Sequence, residues 1–273
     1  MLKRPIPSSG EMLPVIGCGT YQTFDVGAAA ATRAPLRGVL AALFAAGGSV
    51  IDSSPMYGKA ERVAGDLLAE EGMRERAFVA TKVWTRGREA GIAEMERSFA
   101  LLKVSTIDLM QIHNLLDWRT HLATLRGWKA EGRVRYLGIT HYTAGAHADL
   151  AAIMRSEPID FVQFNYALDD RAAETSLLPL AAERGIAVLI NRPLGQGNLL
   201  RRLARKPLPD VAAELGAASW AELALKYLIS NEAVTCLIPA TSKPEHMAMN
   251  ARAGAGPLPD AEMRRQILAA AGV

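Results

Sequence analysis

Cysteine is scarce in this chain: Cys18 and Cys236 are the only two in 273 residues. Two distant thiols make neither a disulfide framework nor a CxxC metal site. Long apolar runs are also missing. Half of the residues are apolar, yet no run reaches the roughly 18 residues needed to cross a bilayer. The opening stretch, MLKRPIPSSG, is basic but has no apolar h-region, so it does not read as a secretory signal. Charge of one sign is in short supply too. Lys plus Arg is 31 and Asp plus Glu is 28, a net charge of +3. That balance is too even for the concentrated basic face of a nucleic-acid binder. The histidines at 113, 121, 141, 147 and 246 include no HxH pair of the kind typical of metal-dependent barrel hydrolases, so no metal is expected. No repeat, linker or low-complexity tract divides the chain. The expectation is a single domain over residues 1–273, monomeric and cytoplasmic, acting on a small molecule, with no nucleic-acid or membrane partner.

What is present is alternation. Eight short apolar runs recur: PVIGCG (14–19), SVID (49–52), AFVATKVW (77–84), IDLMQIH (107–113), VRYLGIT (134–140), IDFVQFN (159–165), IAVLIN (186–191) and VTCLIPA (234–240). Helical patterns fall between them at 33–46, 60–71, 89–102, 118–131, 144–156, 170–184 and 218–230, with two more at 244–251 and 260–270. Near-continuous apolar strands alternating with helices predict a parallel sheet covered on both faces. Eight such units in about 250 residues predict an α/β fold of the closed (β/α)8 TIM-barrel type. An open doubly wound sheet is the runner-up, and it calls for a glycine-rich fingerprint after its first strand. GCGTYQ offers Gly17 and Gly19 and no third glycine in register. One long stretch, 194–217, reads as irregular and carries Arg201, Arg202, Arg205 and Lys206.

A barrel of this type places its active site at the C-terminal strand ends. The second strand ends on Asp52, with Tyr57 in the loop beyond. Period-two alternation puts Lys82 on one face with Phe78, Ala80 and Trp84, and His113 on one face with Leu109 and Gln111. Further strands end in Thr140 and His141, in Gln163 and Asn165, and in Asn191 and Arg192. Singly, each residue has an ordinary explanation as a turn, cap or core group. Together, three successive strands deliver Asp, Lys and His to one rim, with a Tyr following the Asp. A buried lysine requires a counter-charge, and Asp52 is the candidate, expected at a wet rim. A free phenol titrates near pH 10, and a neighbouring ammonium stabilises its anion. Lys82 is therefore expected to lower the pKa of Tyr57, while His113 is expected to donate a hydrogen bond to a carbonyl oxygen or to relay a proton. That combination is a general acid with an electrophilic clamp.

At this point the chain resembles an aldo-keto reductase over essentially its whole length. RPIPSSGEMLPVIGCGTY is similar to the family's N-terminal β-hairpin, which plugs the barrel floor, and its first strand. IDSSPMYG, ATKVW and DLMQIHN resemble the segments that bear the family tetrad, here Asp52, Tyr57, Lys82 and His113. GITHY, VQFNYAL and IPATSKPEHMAMN resemble its fifth-strand, sixth-strand and C-terminal cofactor segments. The resemblance implies a nicotinamide cofactor bound extended, NADPH favoured over NADH. It also implies hydride transfer to an aldehyde or ketone, with Tyr57 protonating the oxygen. A cofactor-binding subunit that senses redox state with little turnover is the family's alternative role. The cofactor residues it implies are Gly19, Thr20, Tyr21, Asp52, Thr140, His141, Gln163, Asn191, Arg192, Pro193, Leu194, Gly195, Thr241, Ser242, Lys243, His246 and Asn250.

The C-terminal segment also reads physically. Ser242 and Glu245 have capping-box spacing, with Pro244 at an early helical position, and a helix N-terminus favours phosphate. Thr241, Ser242 and Lys243 are expected to face the cofactor's ribose or 2′-phosphate, with Asn250 nearer the adenine. Some positions depart from the family. Thr140 and His141 stand where it commonly has Ser-Asn, and Asn191 stands where it commonly stacks a Tyr on the nicotinamide. Ala240 and His246 replace a Lys and an Arg. Arg192 is expected on the cofactor pyrophosphate as a charge-assisted donor. Met56, Trp84, Leu116, Trp118 and Tyr142 should line an apolar substrate mouth. The sequence ends soon after its last helix, so an open, tolerant site is expected.

Overall fold

The computed structural model describes residues Met1–Val273. Two short strands, β1 (Lys3–Pro5) and β2 (Met12–Pro14), pair antiparallel with Arg4 opposite Leu13. Gly10 turns this hairpin at φ 78°, a left-handed conformation that glycine adopts without a Cβ clash. Eight parallel strands follow: β3 (Cys18–Gly19), β4 (Val50–Asp52), β5 (Phe78–Val83), β6 (Ile107–His113), β7 (Val134–Thr140), β8 (Phe161–Asn165), β9 (Ala187–Asn191) and β10 (Cys236–Leu237). Each pairs with the next in sequence order. Bridges Ile16–Leu237 and Gly19–Ala240 join the first strand to the last and close the ring. This is the expected (β/α)8 barrel. β3 and β10 are shorter than the apolar runs that contain them. Pro239 has no N–H to extend the ladder, and the seam is held by bridges alone.

The helices are α1 (Ala30–Ala45), α2 (Ala60–Glu70), α3 (Arg88–Leu102), α4 (Trp118–Ala130), α5 (His147–Ser156), α6 (Leu177–Arg184), α7 (Asn198–Leu203), α8 (Val211–Glu214), α9 (Trp220–Ile229), α10 (Pro244–Arg252) and α11 (Ala261–Ala271). The stretch 194–217 is therefore more ordered than its sequence suggests, since it holds α7 and α8. The pattern at 170–184 breaks at Ser176, whose φ of −131° separates a 3-10 turn from α6. At one crossing helices approach to backbone contact: a Cβ on Gly65 would lie 2.2 Å from the Leu101 carbonyl oxygen. No helix is long and apolar enough to cross a membrane.

Alternation explains why nearly every strand residue is apolar. Ile51, Val79, Met110, Ile112, Ile139, Val162, Val188 and Ile190 join the helices in the outer core. Val50, Phe78, Ala80, Leu109, Tyr136, Phe161, Leu189 and Cys236 fill the barrel interior. Ile6 and Leu13 of the hairpin belong to that same inner cluster, so the hairpin plugs the floor as the resemblance implied. Arg4 locks it by donating to the carbonyls of Ile229, Asn231 and Val234. With its floor sealed, the barrel offers side chains to a ligand only at its opposite end.

Candidate active site

At the C-terminal ends of the strands the inward face turns polar. Lys82 on β5 and Asp52 at the end of β4 are 0% and 1% exposed. The Lys82 ammonium donates to Asp52 Oδ2 at 2.6 Å and to the Ser53 carbonyl at 2.7 Å. Gln111 on β6 and Gln163 on β8 donate to Asp52 Oδ1 at 3.1 and 3.0 Å. Gln163 Oε1 in turn accepts from Thr140 at 3.3 Å and from Asn191 at 3.5 Å. One carboxylate thus ties β4, β5, β6 and β8 together. The expectation of a wet rim at Asp52 is corrected: the pair is buried, and such a pair holds only when its remaining hydrogen-bonding capacity is met. Burial alone would depress Lys82, but Asp52 and Tyr57 together outweigh it and hold the ammonium above the ordinary lysine value.

Tyr57 lies over this pair, its ring centroid 5.2 Å from Lys82 Nζ. It packs on Tyr21 at 5.0 Å and edge-on to His113 at 5.8 Å. Burial pushes the Tyr57 hydroxyl above the usual phenol value, and the Lys82 charge opposes that rise without cancelling it. The expected net lowering is thus reversed in sign, because desolvation penalises phenolate more than one ammonium stabilises it. His113 ends β6 with Nδ1 3.0 Å from Ser54 Oγ, which also accepts the Met56 N–H at 3.3 Å. Burial, with the Lys82 charge second, pushes His113 down to about 2. The imidazole is therefore neutral at pH 7, with Nε2 free of protein partners.

Above these groups opens a cavity of about 620 Å³, within the usual range for small-molecule sites. Gly19, Thr20, Asp52, Tyr57, His113, Thr140 and Gln163 form its floor and near wall, and Tyr21, Met56, Trp84 and Tyr142 its aromatic and apolar side. Asn191, Arg192, Pro193 and Leu194 continue the wall towards Thr241, His246 and Asn250. Two buried acceptors on this wall, Asn114 Oδ1 and Asn191 Oδ1, have no hydrogen-bond partner.

Besides Lys82, which is buried beneath the floor, six expected residues are not brought to the cavity wall. His141 turns back to cap its own turn, Nδ1 accepting the N–H groups of Tyr142 and Thr143 at 3.0 and 3.3 Å. Its ring stacks on Tyr142 at 5.3 Å. Leu116 and Trp118 follow Asn114 and Leu115, whose φ values of 53° and 57° turn the chain away; Trp118 then packs against the outer core. Gly195 lies in a turn closed by its N–H on the Arg192 carbonyl at 2.9 Å. Ser242 and Lys243 are exposed. The capping box does not form, because Lys243 rather than Ser242 is the N-cap of α10; Pro244 does take the first helical position. The Lys243 N–H is instead met by Thr241 Oγ1 at 3.1 Å. Sequence reasoning gave no role to Ser54, Gln111, Gln196, Leu200 or Met249. Alternation along β6 was a usable signal for Gln111. Ser54 reads as a turn residue, and nothing local ties it to a histidine 59 positions later.

A plugged (β/α)8 barrel with a polar cluster beneath a cavity at its strand ends defines the class. Residues 15–267 match the model of the aldo/keto reductase family. The chain belongs to that family of oxidoreductases. It is 28% identical over 259 residues to methylglyoxal reductase YeaE of Escherichia coli (strain K12), covering 92% of this chain and 89% of that protein. Among solved structures, it is similar to an aldo-keto reductase of Klebsiella pneumoniae in complex with NADPH. That likeness has a TM-score of 0.81 and 25% identity and covers 98% of this chain and 94% of the other. The holo form of the aldo-keto reductase AKR11C1 from Bacillus halodurans shares the fold at a TM-score of 0.79 and 23% identity, covering 99% and 96%.

Proposed function

We propose that the protein reduces an aldehyde or ketone with NADPH, and that Tyr57 is the proton donor. The observation that carries this reading is the convergence of the Tyr57 hydroxyl and neutral His113 on one apolar cavity, with the Lys82–Asp52 pair buried beneath. The residues fit a nicotinamide dinucleotide. The cavity lining runs from the strand ends to α10, and the orphaned Asn191 Oδ1 is an acceptor suited to a carboxamide N–H. Pro193, Leu194, Gln196 and Leu200 would flank the middle of the cofactor, and Thr241, His246 and Asn250 its far end. NADPH rather than NADH rests on the complex of the Klebsiella relative, with His246 and the exposed Lys243 as the groups available to a 2′-phosphate.

The cofactor, when bound, supplies a hydride. The chain's own residues handle the oxygen. Tyr57 donates a hydrogen bond to the carbonyl oxygen and gives up its proton as charge builds there. Lys82 limits the cost of the resulting phenolate, and Asp52 keeps Lys82 charged. With the Ser54 hydroxyl donating to Nδ1, His113 keeps its proton on Nε2 and offers a second donor to the same oxygen. Because His113 stays neutral, it adds no positive charge that would compete with Lys82.

The test is NADPH and NADH oxidation over a carbonyl panel that includes methylglyoxal, the compound named for the Escherichia coli relative. Turnover of at least one carbonyl is expected. Tyr57→Phe should lower it by about two to four orders of magnitude, the range for a lost general acid, while cofactor binding by fluorescence titration persists. Unchanged turnover in Tyr57→Phe would remove Tyr57 from the acid role. Failure to oxidise either cofactor with any carbonyl would sink the reductase reading.

A further inference from the structure

Apart from histidine and tyrosine, the cavity wall carries two ionisable side chains, Asp52 and Arg192. Asp52 is neutralised at 2.6 Å by Lys82. Arg192 has no carboxylate partner, and its N–H groups make no hydrogen bond within the protein. The cavity therefore holds one uncompensated guanidinium, an arrangement that favours an anion.

Arg192 is held in a defined place. Its φ of 52° puts it in the left-handed region, where a non-glycine residue is uncommon and where local strain often accompanies function. The guanidinium carbon lies 4.2 Å from the centroid of the Tyr142 ring, a cation–π contact. The His141 ring also stacks on Tyr142, within 11° of parallel. Tyr142 follows β7 and Arg192 follows β9, so the side chain reaches across the end of β8 towards the aromatic side of the mouth. Stacking uses the face of the guanidinium and leaves its edge free, and that edge matches a carboxylate with two parallel N–H donors.

We propose that Arg192, shelved on Tyr142, is an anion-binding group that selects carbonyl substrates carrying a carboxylate remote from the reacting carbonyl. The substrate part of this inference rests on the reductase reading above. Arg192 anchors the charged end, and the apolar wall formed by Met56 and Trp84 accommodates the carbon body between the two polar ends.

The experiment compares 4-carboxybenzaldehyde with 4-methylbenzaldehyde, which has a similar shape without the charge. In the wild type, kcat/KM should favour the carboxylate by about ten- to hundredfold, the range for charge-assisted hydrogen bonding, mainly through KM. Arg192→Gln should bring that ratio close to unity. Arg192→Lys, which keeps the charge and loses the fork, should retain part of it. NADPH and NADH affinities of Arg192→Gln, measured by fluorescence titration, should each change less than about twofold. If Arg192→Gln weakens the cofactors and leaves the substrate ratio intact, the anion is a cofactor phosphate and the proposal is overturned. Calorimetric titration with benzoate and with benzamide separates the anion site from the chemistry. Arg192-dependent binding of benzoate over benzamide, in a protein that reduces no carbonyl, would keep the anion site and remove the reductase reading. Equal binding of the two by the wild type would remove the anion site.

Discussion

Lys82 combines two duties that one substitution exposes together. Under the proposed role its charge assists Tyr57, and in the fold it neutralises a carboxylate that is 1% exposed. Lys82→Met should therefore lower turnover by about two to four orders of magnitude. It should also destabilise the protein by about 3–5 kcal/mol, because Asp52 is left as an uncompensated buried charge. Adding Asp52→Asn to that variant should recover part of the stability, read from urea unfolding midpoints, and none of the turnover. Recovered turnover would separate Lys82 from the acid. The sequence alone suggested both duties, since alternation put Asp52 and Lys82 on one rim as charge and counter-charge, but it did not show how deep that rim lies. Depth is a property of the closed ring, and it is also what reversed the expected direction for Tyr57. Desolvation cannot be read from neighbouring letters, whereas the presence of a cation can.

At the scale of elements, strands were legible because each is short, nearly all apolar and bounded by polar or turn residues. β6 and β7 begin and end where their apolar runs do. Legibility failed where backbone conformation rather than hydrophobicity sets the boundary. The left-handed residues after β6 carry Leu116 and Trp118 off the cavity, and the N-cap of α10 lies one residue beyond the serine that the capping pattern selects. Helix packing contains a constraint of the same hidden kind. Gly65 in α2 rests on the backbone of α3, with room for no side chain. Gly65→Ala raises intrinsic helix propensity by about 1 kcal/mol, yet overpacking at a backbone contact costs about 1–3 kcal/mol. The net effect should be destabilising, with α2 and α3 pushed apart. A guanidinium unfolding midpoint equal to or above that of the wild type would show that the crossing relaxes freely.

For the whole molecule, burial of a neutral histidine makes stability depend on acidity. His113 titrates near 2 when folded and near 6.5 in an unfolded chain. Between those values the unfolded chain binds a proton that the folded chain does not. Stability supplied by this group is thus complete above about pH 6.5 and falls as pH drops, by about 1.4 kcal/mol per unit. His113→Asn should flatten the acid limb by that one-proton slope, read from urea midpoints at pH 7, 6 and 5. Parallel limbs in the two proteins would mean that His113 is solvated or charged in the fold. The barrel itself was the most legible feature, because eight repeats of one pattern outvote any local ambiguity, but its order of assembly is visible only in three dimensions. The floor joins segments far apart in the chain: Ile6 and Leu13 belong to an inner cluster that Leu189 and Cys236 complete, and Arg4 grips carbonyls at 229, 231 and 234. During translation the hairpin emerges some two hundred residues before its sockets do. The hairpin must therefore wait, only partly seated, until the last strand has left the ribosome, and a nascent chain halted before α9 would leave Arg4 without the three carbonyls that hold it.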